Sequence, residues 1–294
     1  MKFTAEKSQI VDSLQNAAAV AERRQTIPIL ANLRLKASSG KLEVTATDLE
    51  IQIKNYSDLL SIEEEGETTV SARKMSELCR SLPDAENVDF LLKDGKLTVS
   101  SKNFHGDFAT ISADDFPELE VNEEQKSTEI LSGVLKRILT KTSFSMASQD
   151  VRYYLNGLLL ELAEGEIKGV ATDGHRLAVS SSKAQGKGLE MRNILPRKAV
   201  LELAKLLPPE DTPIELLVGP TYIGVKTESL NFSSKLIDGK YPDYEKVFPS
   251  GDPLPLMVGK ETLQSALSRA SVLSNEKYRG VRFELSKGSL KLTA

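Results

Sequence analysis

The segment Thr172-Asp173-Gly174-His175-Arg176 contains the residues best suited to catalysis in this sequence. An Asp and a His two positions apart on a strand face the same side and could act together in general base catalysis. A hydrolase using Asp173 and His175 is therefore one hypothesis. Thr47-Asp48 occupies the matching place earlier in the chain, where Leu49-Glu50 follow and no His is present. The recurrence without a histidine favours a structural role, and we expect a non-catalytic protein.

The residue types also argue against a metal or nucleotide cofactor. The chain has two histidines, His105 and His175, and one cysteine, Cys79, which is too few for a histidine or cysteine metal cluster. Cys79 lies at helical spacing from Met75 and Leu82, as a buried thiol in a protein core does. The sequence contains no Gly-rich phosphate loop of the Walker or dinucleotide kind. We expect no cofactor.

The composition is that of a globular protein of two or three domains. Hydrophobic residues make up 40% and charged residues 27% of the 294 positions. The longest apolar runs are far shorter than the roughly 20 residues that span a bilayer. The start of the chain lacks the apolar core and cleavage pattern of a signal peptide. We expect a cytoplasmic protein.

Internal repetition is the clearest organisational feature. The first hairpin pattern turns at Gly40 and ends in Thr47-Asp48, and the second turns at Gly165 and ends in Thr172-Asp173, a spacing of 165 − 40 = 125 residues in both landmarks. Two further segments of the first copy recur in the same order in the second. They are Ala72-Arg73-Lys74 with Pro196-Arg197-Lys198, and Asp115-Phe116-Pro117 with Lys240-Tyr241-Pro242.

A third copy begins near the end of the sequence. Gly288 follows Gly40 by about twice the repeat length, within another alternating hairpin pattern. The repeat predicts two complete domains, 1–124 and 125–251, and a partial third domain, 252–294. We expect this C-terminally truncated third domain, which retains only a helix and a hairpin, to be marginally stable.

Helix and strand patterns occupy separate blocks within each copy, which predicts an α+β fold with antiparallel sheets and helices on one face. The basic residues concentrate in the helices, although the whole chain has a net charge of −4. The helical windows together contain 14 Lys or Arg and 5 Asp or Glu, so they carry +9 and the remainder carries −13. These windows are 7–24, 73–82, 132–147, 197–207 and 260–274.

This charge distribution favours a nucleic-acid partner. If the helices of successive copies share one surface, they form a positive stripe suited to phosphates, while the acidic sheets repel DNA. Solvated helix faces are the simpler explanation for any single helix. No zinc finger, basic zipper or RNA-stacking motif is present, so we expect phosphate contacts without sequence preference.

Several long strings resemble the bacterial DNA polymerase III beta subunit family of DNA sliding clamps, and the similarity covers the whole chain. The strings are Met1 to Thr4, Ile27 to Leu33, Gln149 to Gly157, Ala171 to Leu177, Ser274 to Lys277 and Arg279 to Arg282. The resemblance implies the DNA clamp fold, with repeated clamp-type domains, sheets outside and two helices per domain lining a ring. It also implies a head-to-tail homodimer and a processivity function rather than an enzymatic one.

The resemblance also transfers a set of DNA-facing positions. These are Arg24, Arg73, Gln149, Tyr153 and Tyr154, with Lys198 as a further phosphate contact. Packing beneath a loop is the alternative role for Tyr153 and Tyr154.

A groove for short apolar peptides transfers onto a second set of positions. These are Leu155, Thr172, Gly174, His175, Arg176, Leu177, Pro242, Lys246 and Val247. Apolar walls with a few polar groups are what such a peptide needs. Lys246 stands where members of the family often have Arg, so a planar, forked contact is not expected there.

The family also implies partners and a subunit interface. The expected partners are duplex DNA, the catalytic subunit of DNA polymerase III, the clamp loader and other proteins with a clamp-binding motif. Phe108, Val272 and Leu273 resemble the apolar part of the contact between subunits. Members of the family continue beyond the position of Ala294, and their final segment lines the groove.

Overall fold

The computed structural model of this chain describes residues 1–21, 27–83, 86–119, 125–184, 189–208, 210–249, 251, 255–275 and 280–294. The chain divides into two compact units, Met1–Pro242 and Asp243–Ala294. The division into three domains at 124 and 251 stays a prediction. Within the described ranges, none of the helices combines the length and apolarity needed to cross a membrane.

The first copy contains nine strands and two helices within its described part. Its strands are β1 (Lys2–Glu6), β2 (Asn32–Ser38), β3 (Lys41–Thr47), β4 (Ile51–Asp58), β5 (Ser61–Glu64), β6 (Gly66–Ser71), β7 (Asn87–Lys93), β8 (Lys96–Ser101) and β9 (Phe104–Ala109). Its helices are α1 (Lys7–Val20) and α2 (Ala72–Ser81).

The described part of the second copy contains eight strands and two helices in the corresponding order. Its strands are β10 (Lys126–Leu131), β11 (Gly157–Ala163), β12 (Glu166–Thr172), β13 (Leu177–Lys183), β14 (Met191–Pro196), β15 (Pro213–Val218), β16 (Tyr222–Lys226) and β17 (Leu230–Lys235). Its helices are α3 (Ser132–Thr142) and α4 (Arg197–Leu206). The predicted helix over 132–147 is shorter than expected, because a 3-10 turn at Ser143–Ser145 follows α3.

The repeat is visible in the hairpin turns. Ser39 and Gly40 take φ values of +52° and +78°, and Glu164 and Gly165 take +51° and +76°. Two central residues with positive φ form a type I′ turn, whose twist matches that of the flanking strands. The same local geometry therefore closes the β2–β3 and β11–β12 hairpins.

One antiparallel sheet crosses the boundary between the two copies. It has eight strands in the order β10-β15-β16-β17-β4-β3-β2-β6, so β17 of the second copy pairs with β4 of the first. A five-stranded sheet (β5-β1-β7-β8-β9) and a four-stranded sheet (β13-β12-β11-β14) complete the first compact unit. The helices cover these sheets through apolar faces, as the separate blocks of helix and strand patterns predicted.

Two lysines of the basic helix windows point into the protein. The Nζ of Lys7 in α1 donates to the carbonyl of Leu82 at the end of α2. Lys136 in α3 donates to the carbonyl of Leu207, just after α4, at 2.7 Å. A cation at a helix C-terminus binds carbonyls that have no partner within the helix. The sequence-based charge count of the helices therefore overstates the positive charge that faces solvent.

The second compact unit contains α5 (Lys260–Val272) and a hairpin of β18 (Arg282–Ser286) and β19 (Ser289–Thr293). Gly288 has a φ of +73° in the hairpin turn, as the third copy of the repeat predicts. None of the residues of α5 is buried.

Candidate functional site

The turn from Thr172 to Leu177 is held by its own side chains. The Thr172 hydroxyl donates to the Arg176 carbonyl at 2.7 Å and accepts from the Gly174 N–H at 3.0 Å. Oδ1 of Asp173 accepts from the N–H groups of His175 and Arg176 at 2.9 and 3.0 Å. Gly174 has a φ of +86°, which glycine adopts without steric cost. The Thr-Asp pair is thus a turn-forming device.

The first copy builds the same turn 125 positions earlier. The Thr47 hydroxyl donates to the Ile51 carbonyl and accepts from the Leu49 N–H. Oδ1 of Asp48 accepts from the N–H groups of Glu50 and Ile51 at 2.9 and 2.7 Å. Leu49, the counterpart of Gly174, has a φ of +73°. The chemistry of the turn therefore does not depend on a histidine.

This geometry gives no support to a hydrolase that uses Asp173 and His175. Oδ2 of Asp173 accepts from Nε of Arg176 at 3.0 Å, so both carboxylate oxygens are engaged within the turn. Burial raises the pKa of Asp173, but the N–H groups of His175 and Arg176 and the Arg176 side chain outweigh it, and the net pKa is lowered. A carboxylate with a lowered pKa is a weak general base.

The turn contains five of the residues predicted to line a peptide groove: Thr172, Gly174, His175, Arg176 and Leu177. Leu177 is half-buried at its end, while His175 and Arg176 are exposed. Arg176 also lies over the Phe144 ring, with its guanidinium carbon 5.6 Å from the ring centroid. A Cβ at Gly174 would lie 3.2 Å from Nη2 of Arg152, so the Arg152 side chain covers this glycine.

Two residues outside the predicted set contact the turn. Arg152 is held by Asp150, whose carboxylate accepts from its Nε and Nη2 at 3.0 and 2.9 Å. Tyr241 is buried, and its Oη accepts from the Thr172 N–H at 3.0 Å. Tyr241 aligns with Phe116 in the repeat, so the sequence shows that the second copy has a hydroxyl where the first has none. It does not show that this hydroxyl binds the Thr172 N–H.

The remaining groove residues lie in different parts of the molecule. Leu155 is buried at the end of the 3-10 helix Tyr153–Leu155, and Pro242 is exposed at the end of the first compact unit. Lys246 and Val247 belong to the second compact unit, where Lys246 forms an ion pair with Asp243 at 2.7 Å. The assignment of Lys246 and Val247 to the groove stays a prediction.

The candidate DNA-facing residues show varied exposure. Arg73 lies in the first turn of α2 with 76% of its side chain exposed, and its Nε donates to Glu77 at 2.9 Å. Gln149 is exposed and has a φ of +57°. Arg24 lies outside the described residues.

The tyrosine pair is only partly packed. Tyr153 is 58% exposed and Tyr154 is half-buried, with the two rings edge to face and their centroids 5.8 Å apart. A Cβ at Gly239 would lie 3.4 Å from the Tyr153 ring. Both tyrosines therefore lie against the segment around Gly239, and Tyr153 remains available to a ligand.

Lys198 is engaged within the protein. Its Nζ donates to Oδ2 of Asp48 at 2.5 Å and to the Val20 carbonyl at 3.2 Å. Its assignment as a phosphate contact stays a prediction.

A cavity of about 480 Å³ brings part of the two predicted sites together. Gln149 of the DNA-facing set lines it together with His175 and Arg176 of the groove. Asp150, Asp173 and Arg197 add charged groups to the same cavity. The 146–150 segment thus connects the candidate DNA surface to the turn.

The three predicted interface residues are accessible to differing degrees. Phe108 on β9 is half-buried against the core. Val272 and Leu273, at the end of α5, are 81% and 83% exposed. Their role in subunit contact stays a prediction.

Comparison with known proteins identifies the class. Residues 1–120 match the N-terminal domain of the DNA polymerase III beta subunit, and residues 129–243 match its central domain. The chain is 42% identical over its whole length to the beta sliding clamp of Pseudomonas aeruginosa, covering 80% of that protein. It is 40% identical to the beta sliding clamp of Escherichia coli K12, again covering 80%.

Solved structures agree with these matches. A sliding clamp of Pseudomonas aeruginosa bound to griselimycin superposes with a TM-score of 0.91 at 42% identity, over 99% of this chain and 79% of that one. The sliding clamp of Bacillus subtilis gives a TM-score of 0.91 at 27% identity, over 99% of this chain and 80% of that one. Fold and sequence therefore define a DNA clamp of the α+β class.

The chain belongs to the bacterial beta sliding clamp family of DNA polymerase III. Its function is that of a processivity clamp, a non-catalytic role in DNA replication.

Proposed function

We propose that this clamp contacts duplex DNA through phosphates, at a surface that includes Arg73, Gln149, Tyr153 and Tyr154, with Arg24 added from the resemblance. The exposure of Arg73 supports this proposal most directly, because a side chain that is 76% accessible on a helix can reach a phosphate. Its partner Glu77 is also exposed, so the ion pair is weak and exchangeable. A phosphate can therefore replace the Glu77 carboxylate at little cost.

Salt dependence of binding tests the DNA surface. Arg73→Met should make the negative slope of log K against log salt shallower by about 0.9, as expected for one lost phosphate contact. Lys93→Met removes the same charge from an exposed position at the end of β7, in the five-stranded sheet, and should leave the slope unchanged. Fluorescence anisotropy with a short labelled duplex measures both. A duplex bound about 100-fold more tightly than its shuffled version would contradict phosphate-only recognition.

We also propose that the Thr172–Leu177 turn, with Leu155, Pro242, Lys246 and Val247, binds a short apolar peptide of partner proteins. The supporting observation is a hydrogen-bonded turn that presents the half-buried Leu177 beside exposed polar groups. The partners are the catalytic subunit of DNA polymerase III, the clamp loader and other proteins with such a motif. Because bacterial DNA lies in the cytoplasm, the same proposal places the clamp there.

Peptide titration tests the groove. Leu177→Ala should weaken binding of a labelled apolar pentapeptide about tenfold, because it removes part of an apolar wall. Val179→Ala, an exposed position on the same strand β13, serves as the matched control. Equal loss of affinity in both variants, or none in Leu177→Ala, would place the peptide elsewhere.

A homodimeric ring is supported by the repeat. Strand β17 of the second copy pairs with β4 of the first, and β9 is the counterpart of β17 in the first copy. Strand β9 lies at the edge of its sheet. In a ring, β9 pairs with the third copy of another subunit in the same way as β17 pairs with β4. Edge strands offer unpaired N–H and C=O groups for this purpose.

Sedimentation tests this pairing. Phe108→Asp should shift the equilibrium towards monomer in a version of the chain extended to the length of its relatives. Asp107→Asn, on the neighbouring exposed position of β9, is the control. A dimer unaffected by Phe108→Asp would refute the β9 interface.

A further inference from the structure

Lys198 connects the two complete copies of the repeat. It is the second residue of α4, in the second copy, yet both of its acceptors belong to the first. Oδ2 of Asp48 accepts from its Nζ at 2.5 Å, and the carbonyl of Val20, the last residue of α1, accepts at 3.2 Å. The Asp48 side chain is only 6% exposed, whereas that of Lys198 is 37% exposed.

Comparison of the two matched turns shows that this contact is not needed to build the turn. Oδ1 of Asp48 and Oδ1 of Asp173 each accept two N–H groups of their own turn. The outer oxygens differ: Oδ2 of Asp173 accepts from Arg176, three residues further on, whereas Oδ2 of Asp48 accepts from a lysine 150 residues away. The outer carboxylate oxygen of the first turn therefore binds a residue of the second copy.

The electrostatics of the site also favour a structural role for the contact between Lys198 and Asp48. A nearly buried carboxylate needs a cation, because an unpaired charge in such a place is strongly destabilising. A lysine in the first turn of α4 is unfavourable for the dipole of that helix, but its Nζ binds a carbonyl at the C-terminus of α1, where a cation is favourable. Moving Lys198 to a DNA phosphate would remove both interactions.

We infer that Lys198 is a positioning residue that sets the relative orientation of the two copies by holding Asp48 and the end of α1 against the start of α4. The copies are joined in the sheet layer by β17 and β4, and Lys198 supplies a polar connection in the helix layer. It acts on DNA binding only by holding the DNA-facing helices in place. This effect on DNA binding rests on the proposed function, whereas the tie between the copies, formed by Lys198 with Asp48 and Val20, does not.

A double-mutant cycle tests the tie. Lys198→Met should lower Tm by about 4 to 8 °C, because it leaves the Asp48 carboxylate without its cation. Asp48→Asn keeps an Oδ1 acceptor for the turn and is the milder variant if Lys198→Met folds poorly. The double variant should be no less stable than Lys198→Met alone. Additive losses of Tm would overturn the pairing.

A distance measurement tests the positioning. Lys41 and Glu166 are exposed and occupy matching places in the two copies, so spin labels at Lys41→Cys and Glu166→Cys report the orientation between them. Cys79 does not compete for label, because it is buried and burial raises the pKa of its thiol to about 12. Both Lys198→Met and Asp48→Asn should broaden the distance distribution, whereas Arg73→Met should not. A distribution as narrow as that of the parent in both variants would refute the positioning role.

DNA binding separates a tie from a phosphate contact. The salt slope of Lys198→Met on a short labelled duplex should equal that of the parent, whereas Arg73→Met should lower the slope by about 0.9. A slope lowered by about 0.9 in Lys198→Met with unchanged Tm would make Lys198 a phosphate contact and overturn the inference. If the parent shows no salt-dependent DNA binding, the proposed function fails, and the Tm cycle and label distances still decide the tie.

Discussion

Replacing Tyr241 by Phe removes a single oxygen from beneath the groove turn. The Tyr241 ring is 3% exposed, and its Oη is 3.0 Å from the Thr172 N–H that it accepts. The matching residue of the first copy is Phe116, so a phenyl ring is compatible with this place in the repeat. The substitution therefore tests the hydrogen bond with little change in packing.

The expected loss of stability depends on pH. Without Oη the Thr172 N–H loses its partner, which costs about 1 to 2 kcal/mol at neutral pH. Burial raises the pKa of Tyr241 from 10.0 to about 12, although the Thr172 N–H lowers it. The unfolded chain loses this proton first, so a contribution of about 3 kcal/mol is present below pH 10 and is lost as pH rises through 12. Phe cannot titrate, so the variant lacks this loss.

The two effects predict a crossover. The parent should be more stable than Tyr241→Phe at pH 8 and less stable at pH 12. Urea unfolding followed by circular dichroism at a series of pH values measures the difference, and the contribution of the Cys79 thiol cancels because both proteins contain it. Amide exchange gives a local check, since the Thr172 N–H should lose protection in the variant. A stability difference that stays constant from pH 8 to pH 12, or unchanged exchange at Thr172, would refute the reasoning.

Two further substitutions test the turn and the ionic network of the first copy. Gly174→Ala should lower the free energy of unfolding by about 1 kcal/mol, because φ is +86° and the new Cβ would meet the Arg152 guanidinium. It should also weaken peptide binding. Calorimetry measures both effects, and no change in either stability or affinity would contradict this prediction. Glu118 accepts from Lys54 and Arg34, and Lys54 first, then Arg34, lower its pKa against the opposing effect of burial. Its contribution to stability is present above pH 4.5 and is lost as pH falls further, so urea midpoints of Glu118→Gln should fall less than those of the parent between pH 5 and pH 3.

The repeat made most of the fold predictable. The Gly40 and Gly165 turns and the separate blocks of helix and strand patterns follow from local rules, and the structure confirms the α+β class. Thr47-Asp48 and Thr172-Asp173 also recur with the same hydrogen bonds. These hydrogen bonds join residues that are close in the chain, so such turns can be predicted from a single sequence.

Long-range partners could not be predicted in the same way. Lys7, Lys136 and Lys198 belong to the basic helices, yet all three donate to acceptors on other elements. A charge count cannot distinguish a lysine that faces solvent from one that binds a carbonyl far along the chain. The contact of Arg152 with Gly174 could not be predicted for a similar reason, because it depends on how two loops meet.

The two copies differ at the position where the peptide groove is proposed. In the first copy, the side chain of Leu49 packs against Ile29, Leu30 and Phe116. The corresponding residues of the second copy are Gly174, Tyr154, Leu155 and Tyr241, so the leucine is replaced by a residue without a side chain.

In the first copy the Leu49 side chain occupies this place, whereas in the second copy the Arg152 side chain lies beside Gly174. The Arg152 side chain is 48% exposed, so it can move away from Gly174 with less loss of packing than a buried leucine. An apolar side chain of a partner peptide, entering beside Gly174, would then make in the second copy the contacts that Leu49 makes in the first. The proposed groove therefore differs from the matching place in the first copy by the loss of the leucine side chain at this position of the turn.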